Sequence, residues 1–212
     1  MSLLSMKVGG AKRLVKFVAK PKYIYEFNLD RFDLNTLKDG DVQWTVSSSK
    51  PTLSKSSDSL DVTLKASGSP CQLNLPPNNF DINQPYFIES LVTIPSTNEY
   101  IYAGPSDTSV VSYSRGLGSW FYVINSSNFI KYKGTLEYTS YDWNRLYIGY
   151  NYSMPINIKV YRDPSNSYKE FYLNDELIYS INAPSRQIFT INNGNGDILS
   201  TIKLHSLKII PA

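Results

Sequence analysis

Leu60-Asp61-Val62-Thr63-Leu64-Lys65-Ala66 sets an apolar residue at every second position and a polar one between. A strand sends successive side chains to opposite faces, so this run is written for a sheet with one face in a core and the other in water. Working outward, Val42-Gln43-Trp44-Thr45-Val46 and Ile156-Asn157-Ile158-Lys159-Val160 repeat the pattern. Residues 86–94 and 120–124 are apolar at both phases, as expected of sheet centres whose second face is partly covered or used for binding. Turn-forming clusters separate these runs at residues 47–55, Pro76-Pro77-Asn78-Asn79, Gly104-Pro105-Ser106-Asp107, Asp163-Pro164-Ser165-Asn166 and Asn192-Asn193-Gly194-Asn195-Gly196-Asp197. Many short strands with tight connections predict an all-β chain, a two-sheet antiparallel sandwich of the jelly-roll kind.

The composition agrees. The chain has 17 Tyr, 9 Phe and 3 Trp and is only 18% charged, a balance that favours pleated, half-buried surfaces and also suits recognition faces. A body of 212 residues buries a core without help, and the one cysteine excludes an internal disulfide framework. Cys71 alternates in phase with Leu73 and Leu75, so it is expected to be a small buried apolar side chain and an inert thiol.

The charge is uneven. Lys7, Lys12, Arg13, Lys16, Lys20 and Lys22 lie in the first 22 residues with no acid among them, which leaves 15 basic and 18 acidic residues and about −3 for the body. A weakly acidic body argues against a nucleic-acid partner, and a basic arm is expected to dock on a partner subunit. Residues 1–22 are read as that arm, with Lys12, Arg13, Lys16, Phe17 and Lys20 as its contacts, and residues 23–212 as a single domain. Residues 11–19 fit an amphipathic helix or an extended segment equally. The first residues do not read as a secretory signal, and no run is apolar for long enough to span a membrane. The expected location is a virion, with the cytoplasm as the alternative.

Several segments together resemble the concanavalin A-like lectin and glucanase superfamily, in particular its laminin G-like jelly rolls. They are Pro85-Tyr86-Phe87-Ile88-Glu89-Ser90-Leu91-Val92-Thr93-Ile94, Gly118-Ser119-Trp120-Phe121-Tyr122-Val123-Ile124, the run from Ile156 to Asp163, and Lys169-Glu170-Phe171-Tyr172-Leu173-Asn174-Asp175-Glu176-Leu177-Ile178-Tyr179-Ser180. Asn174-Asp175 suits the left-handed dihedrals of a two-residue hairpin, with Asp175 where glycine is more usual. The closing run Thr201-Ile202-Lys203-Leu204-His205-Ser206-Leu207-Lys208-Ile209-Ile210 is similar to the superfamily's terminal strand, which pairs beside the first. The resemblance implies a lectin-like β-sandwich but leaves function open, because the scaffold serves lectins, glycosidases and structural modules alike.

Catalytic patterns are sparse. A glycosidase of this resemblance would carry paired acids as Glu-x-Asp-x-Glu on one strand, whereas Glu89, Glu99, Glu137 and Glu170 stand alone and Asp175-Glu176 falls in a turn. There is no Gly-x-Ser-x-Gly elbow, His205 is the only histidine, and zinc-ligand spacing is absent. The loop over residues 192–197 has oxygen-bearing side chains but one carboxylate, too few for an EF-type calcium site. No enzyme activity, cofactor or metal is expected. Asn125-Ser126-Ser127 and Asn151-Tyr152-Ser153 match the glycosylation triplet without a signal peptide to make use of it.

What remains is recognition. Tyr141-Asp142-Trp143-Asn144-Arg145 sets a flat ring beside amide and carboxylate oxygens, the two kinds of group a sugar needs, although Trp143 would equally plug one end of a sandwich. Tyr100, Tyr102 and Tyr113 flank the Gly-Pro segment. Trp143, Asp142, Asn144, Tyr141, Tyr100 and Tyr102 are therefore the candidate ligand residues. The expected function is a non-catalytic, lectin-like module of a larger assembly, such as a phage tail, fibre or capsid decoration that contacts host-surface glycan. A purely structural scaffold, a homo-oligomer and a polysaccharide-cleaving hydrolase remain as alternatives.

Overall fold

The computed structural model describes residues 4–8, 11–15, 23–65, 71–94, 101–106, 120–124, 129–133, 144–147, 154–166, 168–182, 187–193 and 199–212. Strands β1 (Leu4–Val8) and β2 (Ala11–Val15) pair with each other as an antiparallel hairpin. Of the two conformations open to residues 11–19, the extended one therefore holds for Ala11–Val15. The body opens with five two-residue strands, β3 (Tyr25–Glu26), β4 (Phe32–Asp33), β5 (Lys38–Asp39), β6 (Val42–Gln43) and β7 (Thr45–Val46). Next come β8 (Thr52–Lys55), β9 (Leu60–Leu64), β10 (Gln72–Leu75), β11 (Tyr86–Thr93) and β12 (Ile101–Ser106). They are followed by β13 (Trp120–Ile124), β14 (Phe129–Lys133), β15 (Asn144–Tyr147) and β16 (Ile156–Asp163). The chain ends in β17 (Tyr168–Leu173), β18 (Glu176–Asn182), β19 (Gln187–Asn192) and β20 (Ser200–Pro211).

Two antiparallel sheets carry the body. One runs in the order β15-β14-β13-β12-β19-β10-β7, the other β18-β17-β16-β11-β20-β9-β8 with β3 added beside β20. In β9, β11 and β16 buried and half-buried residues alternate without a break. Their inward rows, among them Val62, Ile88 and Val160, join Leu73, Leu75, Phe189 and Ile191 of the other sheet in one apolar core. The fold is thus an all-β sandwich, and among the described residues there is no α-helix.

Several connections differ from the sequence reading. The run 42–46 is not one strand: it breaks at fully buried Trp44, with β6 in a small meander of β4, β5 and β6 and β7 at the edge of the seven-stranded sheet. The cluster 47–55, read as a turn, contains β8, and Gly104-Pro105-Ser106, also read as a turn, lies within β12. Register shifts between Gly104 and Ser106, the kind of irregularity that tolerates a proline without an N–H. The two-residue hairpin at Asn174 and Asp175 has the left-handed φ values of 47° and 66° that the sequence calls for. Asn174 also accepts a hydrogen bond through Oδ1 from the Asn157 amide at 3.1 Å, tying the hairpin tip to β16.

The short strands at the start of the body are organised by one carboxylate. Asp39, 1% exposed, accepts hydrogen bonds from the Tyr25 hydroxyl at 2.7 Å, from the Asn28 amide at 3.0 Å and from Arg31 Nε. Trp44 Nε1 donates in turn to the Tyr25 oxygen at 3.3 Å. Around this network Phe27, Phe32, Trp44 and Phe189 meet edge to face or tilted, with centroids 5.5 to 6.4 Å apart. Asp39→Asn is expected to set an amide N–H₂ against existing donors and to cost about 2–4 kcal/mol. Urea unfolding followed by tryptophan fluorescence measures this, and a loss under about 0.5 kcal/mol, the size of an ordinary surface change, would contradict the assignment.

On the outer side of β9, Asp61 accepts from the Ser59 hydroxyl at 2.8 Å and the Ser56 hydroxyl at 3.0 Å and pairs with Lys203 at 3.2 Å. Burial pushes its carboxyl up, but the two serines and Lys203 together outweigh burial and hold it below the usual range. A carboxyl depressed by folding stabilises the protein above its unfolded value of about 3.9, and that contribution disappears as pH falls through the folded value. Asp61→Asn should therefore flatten the acid limb of the stability curve between about pH 5 and pH 2 while changing little in shape at neutral pH.

Candidate functional site

The face of the seven-stranded sheet turned away from the core is the candidate site. Along β10 and β19 the inward residues Leu73, Leu75, Phe189 and Ile191 are fully buried in the core. The alternate residues Gln72, Asn74, Thr190 and Asn192 lie on the opposite face, yet are only 0–7% exposed. A buried polar side chain needs partners. Here Thr190 Oγ1 donates to Asn74 Oδ1 at 2.5 Å, and Asn74 Nδ2 makes a long contact of 3.4 Å with Gln72 Oε1. The result is a hydroxyl–amide ladder without formal charge, bounded on the β7 side by the Ser47 hydroxyl, which accepts from the Gln72 amide at 2.9 Å.

Register extends this face across the sheet. Asn192 stands opposite Gln72 on one side and Tyr102 on the other, Tyr102 opposite Tyr122, Tyr122 opposite Lys131, and Lys131 opposite Arg145. Directly paired residues share a face, so six strands contribute one continuous row. A second row places Thr190 between Asn74 and Gly104, where a glycine adds no side chain beside the ladder. The amide and hydroxyl end of this row is closed to solvent, so of its positions those at Tyr102 and Tyr122, where two aromatic residues pair across β12 and β13, are the candidates for contact with a ligand.

Of the sequence-predicted ligand residues, Tyr102 lies on this row. Asn144 opens β15 opposite Tyr132, and its row is the one shared with Leu146 and Ile130, on the core side of the sheet, so the outer row takes Arg145 in its place. Trp143, Asp142, Tyr141, Tyr100 and Tyr113 lie outside the described residues, as do Lys16, Phe17 and Lys20 of the arm; Lys12 and Arg13 are in β2. Gln72, Asn74 and Thr190 were not foreseen, because alternation alone reads such residues as the solvent side of ordinary strands, and Asn192, read as the start of a turn, instead ends β19.

Polar groups also gather away from this face. His205 Nε2 lies 2.8 Å from Thr93 Oγ1, while its Nδ1 is 3.3 Å from both a carboxylate oxygen and the backbone oxygen of Asp58. In outline this is a nucleophile, base and acid. Yet the Asp58 side chain is 69% exposed, where a relay works with a buried acid, and His205 is the extra residue at a register shift in β20, between Leu204 opposite Val92 and Ser206 opposite Leu91. The contacts hold that bulge in place. An open cleft of about 790 Å³ lies along residues 23–31 with Ser57 and Asp58, but its wall is the Asp39 network, in which Arg31 is already engaged. On the eight-stranded sheet Glu89 and Asp175 share Lys159 at 3.1 and 3.9 Å, and Glu170 accepts from the Tyr168 and Tyr172 hydroxyls. That last contact helps push the Tyr172 hydroxyl up to about 12.

Of the loop over residues 192–197, Asn192 and Asn193 are described: Asn192 ends β19, and Asn193 Oδ1 accepts from the Cys71 amide at 2.8 Å while its Nδ2 donates to the Lys65 carbonyl at 2.9 Å, so this side chain ties the end of β19 to the chain that leaves β9 and enters β10. Among the described residues no group of three or more His, Cys, Asp or Glu stands close enough to hold a metal, and no helix is long and apolar enough to cross a membrane.

With this geometry in place, comparison with known proteins is informative about the fold. In sequence the chain matches no family model and no curated protein. In structure it is similar to a carbohydrate esterase of the Shiga toxin-encoding bacteriophage phi24B, with TM-score 0.59 and 8% identity over 90% of this chain and 99% of that one. It is also similar to the exoplasmic/lumenal domain of VIP36 in its Ca²⁺- and mannose-bound form (TM-score 0.56, 11% identity, covering 88% and 89%). A third similar structure is the carbohydrate recognition domain of Emp47p (TM-score 0.52, 14% identity, covering 84% and 92%). At such identities the agreement is one of architecture: the chain has the concanavalin A-like lectin/glucanase fold.

Cys71 is fully buried and its thiol is pushed up by burial, so the native protein is expected to leave it unlabelled by a disulfide reagent such as DTNB until urea unfolds the chain. Rapid stoichiometric labelling without denaturant would contradict its place on the core side of β10.

Proposed function

We propose that the chain is a non-catalytic carbohydrate-binding module that presents glycan to the outer face of its seven-stranded sheet. The observation that carries this reading is the fold shared with carbohydrate recognition domains, together with the direct pairing of Tyr102 and Tyr122 at outward positions of β12 and β13. None of the seven strands contains an aspartate or a glutamate to serve as acid or base, which supports the non-catalytic reading. The fold supports a carbohydrate-related role, being shared with carbohydrate recognition domains and with a carbohydrate esterase.

The module belongs, in this reading, to a larger assembly, most specifically a phage virion. Support comes from the N-terminal hairpin, whose strands, among the described residues, pair only with each other and bring Lys7 opposite Lys12 in register. A lone two-stranded hairpin is marginal in water, so it gains from a docking surface on another subunit, and the six basic residues of the segment suit an acidic one. A structural scaffold without a glycan ligand is the competing account.

Glycan-array binding decides between them. The native protein is expected to bind a restricted set of glycans without releasing reducing ends, and Tyr102→Ala and Tyr122→Ala should each weaken binding roughly ten-fold, as loss of a stacking contact does. Silence across a broad array would favour the scaffold, and release of reducing ends would favour an enzyme.

A further inference from the structure

The outer face of the eight-stranded sheet already seats one ammonium group. Lys159 Nζ lies 4.7 Å from the centre of the Phe87 ring and 3.1 Å from Glu89, so a ring and a carboxylate hold one cation between them. One strand over, on β17, the same two kinds of group recur. Tyr168, Glu170 and Tyr172 alternate with buried Lys169, Phe171 and Leu173 and are half-buried on the outer side. The Glu170 oxygens each accept a tyrosine hydroxyl, from Tyr168 at 2.9 Å and from Tyr172 at 2.5 Å. Tyr161 stands directly opposite Glu170 on β16, its ring centre 6.3 Å from that of Tyr168. Among the described residues no lysine, arginine or histidine forms an ion pair with Glu170, and Lys159 is taken by Glu89 and Asp175. Leu177, 54% exposed, extends the apolar surface opposite Tyr172. The patch is an aromatic surface with one carboxylate at its centre.

The N-terminal hairpin has the complementary pattern. Directly paired residues share a face, and alternate pairs fall on the same one, so register groups Leu4 with Val15, Met6 with Arg13 and Val8 with Ala11. One side of the hairpin is thus apolar around a single arginine, and the other takes Ser5, Lys7, Lys12 and Leu14. A lone hairpin needs a surface to cover its apolar side, and among the described residues β1 and β2 pair only with each other. The dimensions agree. Arg13 is the middle residue of Ala11–Val15 as Glu170 is of the run from Tyr168 to Tyr172, and five residues of strand extend roughly 14 Å in each. Arginine suits such a seat, because its planar guanidinium stacks on tyrosine while its N–H groups reach a carboxylate.

We propose that this patch receives the N-terminal hairpin of a second copy of the chain, with Arg13 set among Tyr161, Tyr168 and Tyr172 against Glu170 and the apolar residues around it laid over the rings and Leu177. The inference rests on the docking-arm reading above and names its partner. Both halves of the contact are written in one sequence, so identical copies suffice to build it, and chains joined arm to face form a closed ring or a filament.

Sedimentation velocity of the full chain across the micromolar range tests this. The native chain is expected to self-associate, and Arg13→Glu and Glu170→Arg should each weaken association at least about ten-fold by setting like charges face to face. An equimolar mixture of these two variants should recover it, because each arm then meets a patch of opposite sign. Glu170→Gln, which keeps one oxygen for the tyrosines, should weaken association in the same direction. Circular dichroism and thermal melting check that each variant keeps the native fold; if Glu170→Arg unfolds, the losses with Arg13→Glu and Glu170→Gln decide. Association that these variants leave unchanged, or folded charge-reversed variants that do not recover each other on mixing, overturns the contact. A chain that stays monomeric throughout also overturns it, and amide hydrogen exchange of residues 4–15 then shows whether the docking-arm reading falls with it. Fast exchange leaves the arm open to a different subunit, so that reading stands. Protection of the arm in the monomer seats the hairpin on its own body and removes that reading as well.

Discussion

A carboxylate withdrawn from water is tolerated only where donors replace its hydration, and Asp39 is such a group. Its three donors come from Tyr25, Asn28 and Arg31, all in the first residues of the body, while Asp39 itself belongs to the β4–β5–β6 meander. The network therefore closes residues 25–39 into one unit. From that unit β3 pairs with β20 in one sheet, and Trp44, which donates to Tyr25, leads directly into β7 in the other. Strands of two residues have too few ladder bonds to hold their place by pairing alone. Here their position follows from satisfying one buried charge, and the edge-to-face cluster of Phe27, Phe32, Trp44 and Phe189 fills the space that the network encloses.

Alternation of polar and apolar residues made the long strands legible. β9, β11 and β16 were readable because each has one face in the core and one in water, the situation that a period of two encodes. The same rule explains the closing strand, where Ile202 and Leu204 fall out of step with Leu207 and Ile209; the register shift around His205 restores the phase, so a break in the pattern marks a bulge rather than a turn. The misread segments were short or rich in turn-forming residues. β8 lies in a serine- and lysine-rich stretch at a sheet edge, and β12 contains Gly104 and Pro105, so local composition pointed to a turn while tertiary pairing with β19 imposed a strand.

The candidate site was less legible for a physical reason. A sugar-binding loop is contiguous, so Trp143 and its neighbours stood out in sequence, whereas a sheet face is assembled by register. Gln72, Asn192, Tyr102, Tyr122, Lys131 and Arg145 come from six strands that are not consecutive in the chain, with β19 inserted between β10 and β12. Tyr102 was singled out for its aromatic character alone. Its partners across the sheet became visible only with strand order known, and Asn144 missed the row by one residue because neighbouring positions on a strand face opposite ways.

The outward positions of the two sheets are satisfied in different ways. On the eight-stranded sheet, pairs such as Glu89 with Lys159 and Asp61 with Lys203 satisfy each other. On the seven-stranded sheet the outward positions of β10 and β19 are uncharged amides and hydroxyls, only 0–7% exposed, with Thr190 bonded to Asn74. The difference is one of burial: the eight-stranded sheet turns charged pairs toward water, whereas at β10 and β19 even the outer side of the seven-stranded sheet is interior, and its polar groups must be satisfied within the protein.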